Sequence, residues 1–466
     1  MIDGLKPYPA YKDSGLPWVG QVPEHWSLQP NSALMRRRKV LVGARHSEYQ
    51  LLSLTKGGVI VRDVESGKGK FSADMGTCQE VRAGDLVFCL FDVPETPRTV
   101  GLSHHDGMIT GAYTVFECSD PVVSLFLDSF YRAMDDRKLL SPLYSGLRNT
   151  IPPTRFLGIK TPLPPVSEQS AIVRFLDYTE RRIRRYILAK LKLIKLLEEQ
   201  KQVIIQHAVT RGLDLNVRTK PSGAEWLGEV PENWNVYPAK RLYHEVDERS
   251  VSGNEELLSV SHITGVTPRA QKNVTMFKAE SYVGHKLCRM DDLVVNTMWA
   301  WMGALGVAEQ TGIVSPSYAV YRPLRSSRLR STYADLLLRT PIYVAEFVRR
   351  STGIRSSRLR LYPEQFLRIP IPCPPEDEQD SVLKDVSEAT RDLSVAIERT
   401  IHEIELIREY RTSLVSTVVT GKLDVQQAAA QLPEEAPQVE PLDELEDMPE
   451  DDGAADSEEL EAADAA

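Results

Sequence analysis

The chain repeats itself, and that repeat limits what it can fold into more than any other feature. Residues 13–30 read DSGLPWVGQVPEHWSLQP and residues 221–238 read PSGAEWLGEVPENWNVYP. At a shift of 208, nine of these eighteen positions are identical, including both tryptophans. RFLGIKTPLPPVSEQ (155–169) lies over QFLRIPIPCPPEDEQ (365–379), and VTRGLD (209–214) over VTGKLD (419–424), both at a shift of 210. From Phe156 to Asp214 the copies therefore have equal length without a gap. Between these borders the sequences diverge. A duplication kept for folding alone would leave interiors as alike as borders. Divergent interiors inside constant borders suit two modules that recognise different things on one scaffold.

Each copy closes on a long helix. Pro164-Pro165 and Pro374-Pro375 prevent helix before them, and Ser167 and Asp377 are the candidate N-caps that follow, with Glu168 and Glu378 in the first turns. No Gly or Pro interrupts the chain before Gly212 or Gly421. Apolar residues recur at 4-3 spacing: Ile172, Leu176, Ile183, Ile187, Ile194, Leu197 and Ile204 in the first helix, and Val382, Val386, Leu393, Ile397, Ile404, Ile407 and Leu414 in the second. One such stripe per helix predicts pairing of long helices. The simplest geometry pairs them with each other, and an antiparallel arrangement gives an internal pseudo-two-fold axis and brings the chain's ends together. Outside the stripe the first helix is strongly basic through Arg181, Arg182, Arg184, Arg185, Lys190, Lys192 and Lys195.

The expected class is α+β, with two α/β modules separated by two long antiparallel coiled-coil helices. The segments are 1–163 and 213–373 for the modules, 164–212 and 374–425 for the helices, and 426–466 for an acidic disordered tail. Within the modules, Tyr49–Thr55 and Glu256–Ser261 read as equivalent strands, as do Asp85–Phe91 and Asp292–Met298; helix is expected over 124–134 and 331–349. Reading base edges needs Arg or Lys for guanine and Asn or Gln for adenine, whereas phosphates need positive charge alone. The candidates are Arg36, Arg37, Lys56, Lys68, Lys70, Arg98, Arg148 and Asn149 in the first module, and His262, Arg269, Lys272, Arg355, Arg358 and Arg360 in the second. SGLRNTIPPTRF (145–156) and STGIRSSRLRLYPEQF (351–366) are the best pair of DNA-facing loops, because they combine glycine with arginine before the proline turn.

The formal charge of −9 conceals the balance of the body. Residues 431–466 hold 15 Asp and Glu and no Lys or Arg, so the rest carries 56 basic against 65 − 15 = 50 acidic residues. A mildly basic body suits a polyanionic partner. The five cysteines form no CxxC pair, which points to buried thiols and not to a zinc ribbon or disulfide framework. No P-loop, HExxH site or S-adenosylmethionine glycine loop is present, and neither is the Asn or Asp that an amino-methyltransferase places before Pro-Pro. No apolar run suits a membrane span or a signal peptide, so a cytoplasmic location without a membrane is expected. The chain reads as a binding subunit, not an enzyme. A free-standing DNA-binding protein, a coiled-coil scaffold that binds protein and an undetected nuclease stand as alternatives.

The opening Tyr11 to Trp26 with its second copy Gly223 to Trp234, and the closing Ile-x-x-Pro-x-Pro-Pro-x-x-Glu-Gln before a helix ending Val-Thr-x-x-Leu-Asp, resemble the specificity subunits of type I restriction-modification enzymes. The resemblance covers roughly residues 8–425. It implies that each divergent module is a target-recognition domain reading one half of a bipartite double-stranded DNA target. The paired helices would act as a ruler and dock methyltransferase subunits, two in number. Those would carry the S-adenosylmethionine chemistry on adenine, and an ATP-driven motor-nuclease subunit would join for restriction. S-adenosylmethionine, ATP and Mg then belong to partner subunits, with no cofactor in this chain. No individual base contact carries over, because these modules vary.

Overall fold

The computed structural model describes residues 5–62, 75–118, 120–214, 216–271, 281–353 and 359–433. They divide into two compact units, one of residues 5–189 with 402–433 and one of residues 190–401.

The first unit is built on a four-stranded antiparallel sheet in the order Met35–Arg38, Thr114–Cys118, Leu86–Phe88, Val100–Leu102. Helix Pro121–Asp136 covers it. That helix starts where Pro121 presets φ and where the Asp120 carboxylate accepts from the backbone N–H of Val122 at 2.7 Å. Its buried face includes Phe126, Leu127, Phe130, Tyr131 and Met134. Tyr131 and Phe156 pack on Phe88 with centroids 5.4 and 4.8 Å away. The opening and closing motifs, far apart in sequence, pair as strands here: Ser27–Pro30 runs antiparallel to Lys160–Leu163.

The second unit repeats this plan. Its sheet order is Tyr243–Val246, Ala319–Pro323, Leu293–Val295, Leu305–Val307, and Asn235–Pro238 pairs with Pro370–Cys373. The single helix expected over 331–349 is instead two, Ser331–Leu338 and Pro341–Arg350. Proline has no N–H for an interior helical bond and pushes the residue before it out of the helical region, and Thr340 accordingly sits at ψ 150°. Pro341 opens a new helix.

Each long helix is continuous, Val166–Arg211 and Glu376–Val419. In the first unit, the opening turns of the first helix (Ile172, Phe175, Leu176) share a core with the closing turns of the second (Leu414, Val418, Val419). In the second unit the closing turns of the first helix (Ile205, Ala208, Val209) share a core with Val382 and Val386 from the start of the second. Both orders are antiparallel. Ile172, Leu176, Val382, Val386, Ile397, Ile404 and Leu414 are buried, and Ile183, Ile187, Ile194, Leu197, Ile204, Leu393 and Ile407 are half-buried. Order continues past residue 425. Gln426–Ala430 is a short helix whose Ala428 and Ala429 are buried in the first unit, so the first residues of the segment expected as a tail are ordered, and residues 434–466 lie outside the described residues.

The recurring tryptophans fasten each unit to its helix. Trp26 and Trp234 are fully buried, and each indole N–H donates to the first-turn glutamate of a long helix, Glu168 or Glu378, at 2.8 Å. The other carboxylate oxygen takes His25 Nε2 at 2.8 Å in the first unit and Asn233 Nδ2 at 2.9 Å in the second. The helix that ends in each unit is held there too. Gly421 turns at φ +73° against Pro23 and Trp26, and Gly212 turns at φ +80° against Pro231 and Trp234. Lys6 and Asp424 form a β-bridge in the first unit, with the Asp424 N–H donating to the Lys6 carbonyl at 2.7 Å.

Candidate nucleic-acid interface

Two kinds of surface element gather the expected contact residues. The first is a hairpin, Leu52–Thr55 with Gly58–Val61 in one unit and Leu258–Ser261 with Gly265–Pro268 in the other. Lys56 and His262 sit in the two turns, and Arg269 is half-buried just after the second hairpin. Gly58 and Gly265 have φ of +118° and +69°, and a Cβ there would meet the guanidinium nitrogens of Arg132 at 2.9 Å and Arg339 at 3.2 Å. The positive φ at both positions favours glycine, while the arginine ends beside them could shift to make room for a Cβ. Arg339 donates to the carbonyls of Ile263 at 2.6 Å and His262 at 3.2 Å. Arg132 and Arg339 were missed in the sequence, although both glycine and arginine recur at one shift of 207.

Arg98 turns inward. It pairs with Asp136 at 2.6 Å and Asp135 at 3.4 Å, donates to the Lys56 carbonyl at 3.3 Å, and its side chain is 16% exposed. It braces the first hairpin from below and does not face outward.

The second element is the loop before each proline turn. Ser145 and Thr150 exchange backbone hydrogen bonds of 2.9 and 3.0 Å, and Gly146 and Asn149 take φ of +71° and +43° at the tip. Leu147 is wholly exposed. Arg148, 70% exposed, pairs with Asp92 and stands 5.6 Å over the Phe91 ring; the hydrogen bond to Asp92 holds its pKa above the ordinary value. In the second unit Thr352 and Arg360 exchange the equivalent bonds at 3.0 and 2.9 Å, and Arg360 lies 5.4 Å over Tyr362. Both loops are tied to the strand ends beside them, Ile151 N–H to Leu90 and Leu361 N–H to Thr297. Trp299 and Trp301 in the adjoining segment are half-buried and stacked at 5.7 Å.

Arg36 and Arg37 are exposed on the edge strand of the first sheet, where Arg36 pairs with Glu117. Lys68, Lys70, Lys272, Arg355 and Arg358 lie outside the described residues. The structure therefore brings Lys56 with Arg98 and Arg148 with Asn149 into common elements.

The acidic residues have structural partners. Asp85 is buried with Arg38 at 2.8 Å, and Asp292 is buried with Arg322 at 2.9 Å. Each aspartate also accepts a turn N–H at 2.9 Å, from Arg82 and Arg289. A buried carboxylate needs such partners. Each arginine also pairs with a glutamate, Arg38 with Glu117 at 2.6 Å and Arg322 with Glu248 at 2.8 Å. The cation comes from the first strand in one unit and from the second strand in the other, while the glutamate comes from the second strand in one and from just past the first strand in the other. Among the described residues no group of side chains could hold a metal ion, and no helix is long and apolar enough to cross a membrane. The described cysteines are buried or half-buried, and burial pushes the thiols of Cys118 and Cys288 up to about 12 and about 11.

No family model and no curated protein matches the chain. Solved structures do. A chain from a type I restriction-modification system, solved for its complex assembly and conformational transition, is 14% identical with a TM-score of 0.56 over 85% of this chain and 98% of that one. The HsdS subunit from Thermoanaerobacter tengcongensis is 14% identical over 86% and 98%, with a TM-score of 0.39. The S subunit of the type I restriction-modification system from M. genitalium is 12% identical over 84% and 96%, with a TM-score of 0.33. The chain thus has the fold of a type I restriction-modification chain, the architecture that its resemblance to specificity subunits implied.

Proposed function

We propose that this chain is the sequence-specific DNA-binding subunit of a type I restriction-modification enzyme and carries no chemistry of its own. The supporting observation is one scaffold with two divergent readers. Both units fasten to long helices by the same Trp–Glu junction, while the hairpin and pre-proline loops differ in sequence. Each unit reads one half of a bipartite target, with Lys56, Arg148 and Asn149 facing DNA in the first and His262 and Arg360 in the second. The paired helices set the unread spacer and dock methyltransferase subunits, which bring S-adenosylmethionine; a motor subunit brings ATP and Mg. Equal repeat lengths follow, because helices that lie against each other must match.

Methylome sequencing of a host carrying the system tests this reading: a bipartite methylated motif is expected. Inserting one heptad into both helices should lengthen the spacer of that motif, and inserting it into one should abolish assembly. An unchanged spacer after matched insertion would sink the ruler. Failure of the chain to co-purify with a methyltransferase would sink the docking role.

A further inference from the structure

Five arginines stand on the first long helix within its part of the first unit: Arg174, Arg181, Arg182, Arg184 and Arg185. Arg174, Arg181 and Arg185 are spaced by seven and four, so they fall on one face, over ~16 Å at 1.5 Å per residue. Arg182 and Arg184 flank that row. All but the partly exposed Arg181 are exposed. The acids on the same stretch are Asp177, paired with Arg181 at 3.0 Å, and Glu180, engaged by Arg411 at 2.6 Å. The row keeps an excess of positive charge.

The described chain ends on this row. Arg174 Nη2 donates to the carbonyls of Leu432 at 2.8 Å and Pro433 at 3.4 Å. The next residues are Glu434 and Glu435, and residues 434–466 carry 15 carboxylates and no Lys or Arg. Five extended residues already span the length of the row, so reach does not limit the contact.

We propose that the acidic segment after Pro433 occupies the arginine row of the first long helix and competes there with external polyanions such as duplex DNA. Each exposed ion pair is weak. Tethering supplies the segment at an effective concentration on the order of millimolar, which makes a set of weak pairs compete well at moderate salt.

The test uses the full chain in two forms, wild type and one with every Asp→Asn and Glu→Gln between 434 and 466. A fluorescein-labelled peptide of sequence 434–466 is titrated with each by anisotropy at low salt. It should bind the neutralised-tail chain at least 10-fold more tightly than wild type, whose own segment competes. Arg181→Gln/Arg185→Gln in the neutralised background should weaken the peptide at least 10-fold, with unchanged circular dichroism. A random-sequence duplex should show the same preference for the neutralised chain. Equal peptide binding to the two chains overturns the occupancy, and indifference to the arginine substitutions overturns the site. Equal duplex binding overturns the competition.

Discussion

The two junctions that fasten tryptophan to glutamate look alike but are not equally made. At Glu168, which is buried, three donors converge: Trp26, His25 and the Tyr8 hydroxyl. Burial, then Glu168, push the Tyr8 pKa far above its ordinary value, so Tyr8 stays a proton donor. Glu378 is half-buried and takes two donors, Trp234 and Asn233; the position matching Tyr8 is the exposed Asn216. The neighbouring glutamines differ the other way. Gln379 donates to the carbonyls of Pro374 at 2.8 Å and Arg328 at 2.9 Å, and accepts from the Arg330 N–H at 2.8 Å. Gln169 donates to Pro164 at 2.8 Å, while its buried Oε1 has no partner among the described residues. The first junction places three donors on its glutamate and leaves its glutamine with one bond, whereas the second places two donors on its glutamate and three bonds on its glutamine. A duplicated contact can therefore keep its Trp–Glu geometry while the surrounding hydrogen bonds move from one residue to the next.

Trp26→Ala or Trp234→Ala should cost ~3–5 kcal/mol, read by denaturant unfolding, with hydrogen exchange placing the loss in the unit that carries the substitution. Equal deprotection of both units would show that the junctions are not separate. Glu168→Gln should cost ~2–3 kcal/mol, because several donors lose a charged partner inside the protein, and Glu378→Gln only ~1–2 kcal/mol. A larger effect at Glu378 would reverse the ranking. Gln379→Met should cost ~1–3 kcal/mol by stranding its buried partners, whereas Gln169→Met should cost less than about 1 kcal/mol. Thermal shifts of the two variants in parallel would decide. Smallest is the exposed pair of Glu180 with Arg411, where Glu180→Gln should change stability by less than about 1 kcal/mol, and less again in high salt.

Much of this plan could be read in the sequence because repetition supplies its own control. Trp26 and Glu168 each recur at their borders, and only the fold reveals that they touch. The helix ends were harder. At a shift of 210 Gly212 falls over Lys422, yet the glycine that turns the second helix is Gly421, one place earlier; a C-cap needs positive φ near the end, not at a fixed register. Pro341 marked a break that apolar periodicity concealed. The interface was least readable. Arg98 and Arg148 look alike as loop cations, but Arg98 meets Asp135 and Asp136 and is mostly covered, whereas Arg148 is mostly exposed. Local sequence does not say which carboxylate a cation will find across the fold.

Finally, the make-up of the first unit sets an order of events. Its core includes Leu414, Val418, Val419, Val425, Ala428 and Ala429, whereas the second unit runs without interruption from residue 190 to residue 401. The module synthesised first therefore cannot close first. At roughly 5–20 residues per second of synthesis, the chain between residues 189 and 402 takes about 10–40 s to emerge. During that interval the pocket around Trp26 lacks its last wall, and the opening turns of the first long helix keep an apolar face uncovered. The second unit meets no such delay. A nascent chain of this design is most exposed to aggregation and to chaperones while residues 402–433 have yet to join the first unit.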